Sequence, residues 1–230
     1  MRPDSEYDFE PVPGLPQNLP QGERMLWQGS PDWMGTARRI YHVPAVAIYF
    51  GILVAWRITA GIHDGLDLLT VIESCAWLVG IASIAVGLLL GLAWGTARST
   101  IFTITDQRLV MRYGMALPLA LNLPFSKIDG AAFKPHADGS GDISVTLTAD
   151  NKLSYLMLWP FARPWHLVRT QPMLRSIPEP RAVAELLSAA LKAQALGYPA
   201  PQPLIGIRVV PTASLGARSS TNNHGVAAAT

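Results

Sequence analysis

Two long stretches of this chain lack the regular return of polar residues that a soluble fold needs. Residues 71–94, VIESCAWLVGIASIAVGLLLGLAW, carry only Glu73 and Cys75 as ionisable side chains. The run is longer than the roughly 20 residues that cross the hydrocarbon of a bilayer. Each Val, Ile and Leu favours insertion by roughly 0.3–0.6 kcal/mol, so the eleven in this run contribute about 3–6 kcal/mol. Residues 43–62, VPAVAIYFGILVAWRITAGI, form a second, weaker span. Its nine Val, Ile, Leu and Phe residues contribute roughly 3–5 kcal/mol, against about 2.5–3.5 kcal/mol for an arginine at mid-bilayer. Arg57 lies towards one end, where the cost falls and its stem can snorkel to the interface, or pair with Glu73 on the neighbouring span.

Both spans carry small residues at every fourth position. Ser83, Gly87, Gly91 and Gly95 make one row, and Ala47, Gly51, Ala55 and Thr59 the other. Helix association in lipid relies on close backbone approach, so such rows are candidate packing faces, for the other span or for a partner. Glycine is also simply frequent in membrane helices.

Beyond Arg98 the period switches to two. STIFTIT and RLVMRYG, joined at TDQ, read as a hairpin with Leu109, Met111 and Tyr113 on one face and Val110 and Arg112 on the other. ALPLALNL, GAAFK, DISVTLTA and KLSYLML are further strand candidates, separated by turn residues. WPFARPWHLVRTQPMLRSIPEP is too rich in proline to predict regular structure. EPRAVAELLSAALKAQAL then sets Val183, Leu186, Leu187, Ala190 and Leu191 on one helical stripe, with Pro180 at its start and Gly197 past its end. About six strands and one amphipathic helix predict a partly open barrel with a helical plug, the plan of a pleckstrin-homology-like domain.

The chain is therefore read as an α+β membrane protein. Residues 1–29 form an extended, proline-rich arm in which Tyr7 and Phe9 are candidate anchors, and 30–97 an interfacial helix plus a transmembrane hairpin with spans at about 43–62 and 71–94. Residues 98–196 form the pleckstrin-homology-like antiparallel β-barrel capped by its C-terminal helix, and 197–230 a disordered tail. The interfacial helix is expected to start with Ser30 as N-cap and Pro31 in its first turn. Trp27, Trp33 and Tyr41 beside Arg38 and Arg39 suit a headgroup boundary.

Composition sharpens this picture in a few places. Eighteen basic against 16 acidic residues are too balanced for a nucleic-acid footprint. A single cysteine, Cys75, excludes a disulfide framework and a cysteine-built metal site. The acidic N-terminus has no apolar run, so no cleavable signal peptide is expected. The loop HDGLDLLT has Asp64 and Asp67 but no Lys or Arg, whereas Arg24, Arg38 and Arg39 precede the spans and Arg98, Arg108 and Arg112 follow them. The positive-inside rule then predicts both termini in the cytoplasm, with a short hairpin loop outside.

Catalytic chemistry is hard to find. DGSGD at 138–142 lacks the order and distal Glu of an EF-hand and reads as a glycine-rich turn. Five histidines are scattered singly, and no GxSxG, P-loop or GxGxxG is present. His42 and His63 flank the first span, where an imidazole could ligate the magnesium of a chlorophyll-type pigment, although ordinary interfacial hydrogen bonding explains them as simply. Arg108, Arg112, Lys127, Lys134, Lys152, Arg163 and Arg169 are not clustered in sequence and read as solvated surface rather than a headgroup site. Trp159 and Trp165, held among Pro160 and Pro164, suit either a protein interface or packing inside the domain. No enzyme and no bound cofactor are expected.

GLPQNLPQGERMLWQGSPDW at 14–33, the two spans, TITDQRLVMRYG and LWPFARPWHL together resemble the photosynthetic complex assembly (PuhB) family of purple bacteria. TITDQRLVMRYG with LPFSKID is also similar to the bacterial pleckstrin-homology domain found in membrane proteins of unrelated roles. The resemblance covers about residues 10–196. It implies a non-enzymatic inner-membrane factor that helps assemble the reaction centre and its light-harvesting 1 antenna, in contact with reaction-centre subunits, lipid or a second copy of itself. Contacts are expected at Gly87, Gly91 and Gly95, at Trp159 and Trp165, and at Trp27 and Trp33. A membrane-anchored lipid-headgroup module and a bacteriochlorophyll carrier are the alternatives.

Overall fold

The computed structural model describes residues 19–20, 22–115, 117–148, 153–166 and 169–204. Its membrane part is a helical hairpin. α1 (Trp33–Arg39) leads into α2 (Val43–His63) and α3 (Leu68–Ser99). α3 is capped by Asp67, whose carboxylate accepts the Leu69 amide at 3.2 Å. The less exposed positions recur at steps of four and three: Val46, Phe50, Leu53, Arg57 and Ala60 on α2, and Val71, Cys75, Leu78, Ala82, Ala85 and Leu89 on α3. That spacing is the seam of two helices wound around each other at a shallow angle. Gly61 lets the loop end close, because a Cβ there would press on Val71. Away from the seam the helices leave Trp56, Trp77 and Ile84 about three-quarters exposed. An uncovered apolar surface of this length is that of a membrane span.

Arg57 bonds one residue beyond the expected partner. Its guanidinium donates to Ser74 Oγ at 2.9 Å, and Ser74 in turn donates to the Thr70 carbonyl. Glu73 is exposed on the neighbouring face and makes no ion pair among the described residues. Residues 73 and 74 lie about 100° apart around a helix, and Ser74 is the one turned to α2.

At 32 residues α3 is about 48 Å long, well beyond the roughly 30 Å of hydrocarbon. Its last two turns belong to the soluble part. Ala93, Thr96 and Ala97 are buried, as are Gly35, Thr36 and Ala37 of α1, so small residues on both helices allow a tight crossing. Tyr41 and Thr96 hydroxyls meet at 2.7 Å. Thr100 donates to the Thr96 carbonyl, ends the helix, and β2 (Ile101–Thr105) begins at the next residue.

The barrel has two antiparallel sheets. β1 (Met25–Gly29), β2, β3 (Arg108–Tyr113) and β4 (Leu119–Pro124) form the first in that order, and β5 (Ile128–Pro135), β6 (Ser140–Leu147) and β7 (Met173–Pro178) the second. β1 pairs with β2 from Met25 opposite Thr105 to Gly29 opposite Phe102. The whole membrane hairpin is thus an insertion between two neighbouring strands. Phe102, Ile104, Leu109, Met111, Ile143, Leu174 and Ile177 fill the core. α5 (Pro180–Leu196) closes it with Val183, Leu186, Leu187 and Ala190 buried and Leu191 partly so, the predicted stripe, and Gly197 ends it at φ 68°.

Four local expectations need correction. The arm ends earlier than 29, because Met25–Gly29 is β1 and Leu26 and Trp27 are core residues, at 2% and 3% exposure. The helix after it is capped by Asp32 and not Ser30, the Asp32 carboxylate accepting the Gly35 amide at 2.7 Å. KLSYLML is not a strand: Tyr155–Leu158 form one helical turn, α4, and Lys152 lies outside the described residues. Finally, MLRSIP inside the proline-rich stretch is β7. Pro172 precedes the strand and Pro178 is its last residue, opposite Ser140, end positions at which a strand tolerates proline. Tyr7, Phe9 and the tail beyond 204 lie outside the described residues.

Two ion pairs fasten the domain. Arg108 grips Glu23 bidentately at 2.7 Å on both branches, and the Glu23 side chain is only 2% exposed. Arg39, at the end of α1, pairs with Asp138 in the β5–β6 turn and donates to Ser140 Oγ at 2.8 Å and Ser176 Oγ at 3.2 Å. The Asp138 carboxyl is lowered to about 2, first by the hydrogen bond from the Ser140 hydroxyl and further by Arg39, with burial opposing.

These features make three predictions. A fragment spanning 98–196 lacks β1 and leaves the Phe102 and Ile104 edge open; it should show no cooperative thermal transition by circular dichroism, and appending residues 19–29 should restore one. Glu23→Ala in the full chain should lower unfolding stability by about 1.5–3 kcal/mol in denaturant titration, because a charged, buried hydrogen-bond pair is broken. Because the folded Asp138 value lies below the ordinary 3.8, its contribution is complete above that pH and lost as pH falls through about 2. The Asp138 carboxyl carbon should titrate near 2 by NMR, and Ser140→Ala should move the midpoint towards the ordinary value.

Candidate functional site

The small-residue rows face outward. Among the described residues a Cβ at Gly51, Gly87 or Gly91 would meet nothing within 4 Å, and Ala47, Ala55 and Ser83 are exposed. Neither row lies in the α2–α3 seam, so the hairpin does not pack on itself through them. Gly95 departs from its row. A Cβ there would overlap Met115 in the β3–β4 connection, so this glycine admits the barrel to the helix.

The tryptophans divide in the same way. Trp27 is a correction: its ring is buried over Gly29, where a Cβ would collide with it, and it is unavailable to a partner. Trp33 is 42% exposed, Trp159 56% and Trp165 94%. The proline-rich stretch that carries the last two is fastened from beneath by Phe161, fully buried and edge-on to Phe102 and Tyr113 at 5.4 and 5.7 Å. Tyr113 donates from its hydroxyl to the Met157 carbonyl at 3.0 Å, and burial raises its pKa. Backbone bonds from Met173 to Phe161 and from Arg163 to Gln171 hold residues 161–163 against 171–173. Trp159 and Trp165 therefore stand out from a rigid base, with Leu156 and Met157 exposed beside them. Trp159 also meets Tyr41 edge-on at 6.5 Å, which brings this surface next to the start of α2.

Between the α1–α2 junction and the β5–β7 sheet lies an open cavity of about 780 Å³. Arg38, Arg39, Lys134, Arg163 and Arg175 line it, together with His42, His136, His166 and Trp165. The sequence places Arg38 and Arg39 at a headgroup boundary and leaves Lys134 and Arg163 as scattered surface cations; the cluster, with Arg175, exists only once α1 and β7 meet the sheet. Arg175 donates to the Pro160 and Arg39 carbonyls at 3.2 and 3.3 Å. Its pKa is lowered, mainly by burial, with the Asp142 carboxylate opposing. Asp142 is the acidic residue of the cavity wall; it accepts the Ser176 amide at 2.8 Å and lies 3.1 Å from His136 Nε2. A second, smaller hollow between Phe125 and α5, about 410 Å³, gathers no comparable charge.

His42 and His63, the candidate pigment ligands, occupy opposite ends of α2, about 30 Å apart. His42 lines the basic cavity, and exposed His63 lies 3.5 Å from Asp64. The DGSGD carboxylates are engaged with protein groups, Asp138 with Arg39 and Ser140, and Asp142 with Ser176.

The family model of the bacterial PH domain matches residues 40–191, from the approach to α2 through most of α5. An uncharacterized 23.7 kDa protein in the puhA 5′ region of Rhodobacter capsulatus is 37% identical over 192 residues, covering 83% of this chain and 90% of the relative. No solved structure matches. The membrane hairpin and strands β2–β7 fall inside one family match, and this chain belongs to the bacterial PH domain family.

Proposed function

We propose that this protein is a non-enzymatic assembly factor for the photosynthetic reaction centre and its light-harvesting 1 antenna. The observation that carries the reading is the relative in the puhA region of a purple bacterium, similar along nearly its whole length. The outward small-residue rows support it. Among the described residues nothing packs over Gly51, Gly87 or Gly91, and a backbone kept bare on a lipid-facing side allows another helix to approach closely. Trp33, Trp159 and Trp165 supply exposed aromatic anchors on the soluble side. The protein sits in the inner membrane with both termini cytoplasmic and holds partner helices and the cytoplasmic face of a reaction-centre subunit, without turning over a substrate.

The test is deletion of the gene in its phototrophic host, followed by complementation. Deletion should lower assembled reaction-centre and antenna absorbance while pigment synthesis continues. Gly87→Leu with Gly91→Leu should insert and fold as the parent does but restore only a fraction of that absorbance, whereas Gly95→Leu should destabilise the protein itself. Unchanged spectra on deletion would defeat the assembly role, and full rescue by the double variant would defeat the helix-pairing part.

A further inference from the structure

The basic cavity has a feature that docking to a protein does not require: its place at the membrane boundary. His42 lines it and is the residue immediately before α2, so its mouth lies where the chain enters the hydrocarbon. Trp165, on its wall, is 94% exposed, and an indole is favoured at headgroup depth, where its body is apolar and its N–H wet. Cations outnumber carboxylates on the wall, where Asp142 is the one acidic lining residue and is held by the Ser176 amide. Arg39 is satisfied by Asp138, but Arg38, Lys134, Arg163 and Arg175 make no ion pair among the described residues. With Arg39 and Asp138 paired, four cations against one carboxylate leave the hollow net positive, and such a hollow attracts an anion. The volume, about 780 Å³, is in the range of roughly 300–1,000 Å³ typical of small-molecule sites.

We propose that this cavity binds the phosphate headgroup of an anionic phospholipid from the adjoining leaflet, with Arg38, Lys134, Arg163 and Arg175 facing the phosphate and Trp165 at the acyl boundary. The acyl chains lie along the first turns of α2, where Ala45, Ile48 and Tyr49 are exposed. A zwitterionic headgroup is disfavoured because its own cation would face the same arginines. A free phosphate would use the charges but not the exposed ring or the helix beside it. The site serves to fix the barrel on the membrane, and it does not depend on any assembly partner.

The full-length protein, purified in detergent, is mixed with phosphatidylglycerol or phosphatidylcholine and its bound lipid read by native mass spectrometry. Phosphatidylglycerol should be retained in preference. Each cation near an anionic headgroup is worth about a fivefold change, so Arg38→Gln with Lys134→Gln should weaken retention about thirtyfold. Lys127→Gln with Lys192→Gln, an equal charge change at exposed sites away from the cavity, should leave it unchanged. Arg163→Gln, examined separately, should weaken it about fivefold and keeps the test decisive if the first double variant unfolds. Equal losses in both double variants, equal retention of phosphatidylcholine, or displacement of the lipid by excess inorganic phosphate would each overturn the site.

Discussion

The pairing of β1 with β2 is the constraint on which the architecture depends. These strands are neighbours in the sheet, yet the chain between them crosses to the membrane hairpin and back. Gly29 opposite Phe102 holds the departing and returning ends together, and Thr100 alone separates α3 from β2. The soluble domain is therefore no appendage on a tether. It is seated on α3 through the small-residue crossing with α1, through Met115 against Gly95, and through the clasp of Arg39 on the β5–β6 turn. A flexible linker would let the barrel wander, whereas this arrangement gives its Trp159 and Trp165 surface a fixed relation to the start of α2.

Most of the framework was legible in the chain. The two spans needed only length and apolarity, the β2–β3 hairpin only alternation, and α5 only its stripe between Pro180 and Gly197. Missed elements share a physical reason, which is that their stability is not local. MLWQG is five residues long and becomes a strand because Thr103 and Ile104 lie across from it. MLRSIP becomes β7 because β6 offers its edge, and the prolines that obscured it stand at its ends. Trp27 looked like an interfacial anchor for the same reason, since residue type alone does not distinguish an anchor from a core ring seated on a glycine.

The candidate surfaces were legible by halves. Gly87 and Gly91 could be picked out by their spacing, but which way they face depends on the seam, and the seam uses the opposite positions. The basic cavity was invisible in one dimension. Arg38 and Arg175 are far apart in sequence, and only the docking of α1 against β7 brings their guanidinium groups to one hollow. Charge clusters assembled from separate elements leave no run in the sequence to find.

The strand order also dictates a timetable at the ribosome. β1 emerges first and has nothing to pair with until both spans have been handed to the insertion machinery and β2 has followed them out. Closure of the barrel is thus conditional on completed insertion, and a chain stalled before its second span would leave an unpaired edge and the Trp27 indole open to chaperones and proteases. Biogenesis acquires a built-in checkpoint from nothing more than where the hairpin is spliced into the sheet.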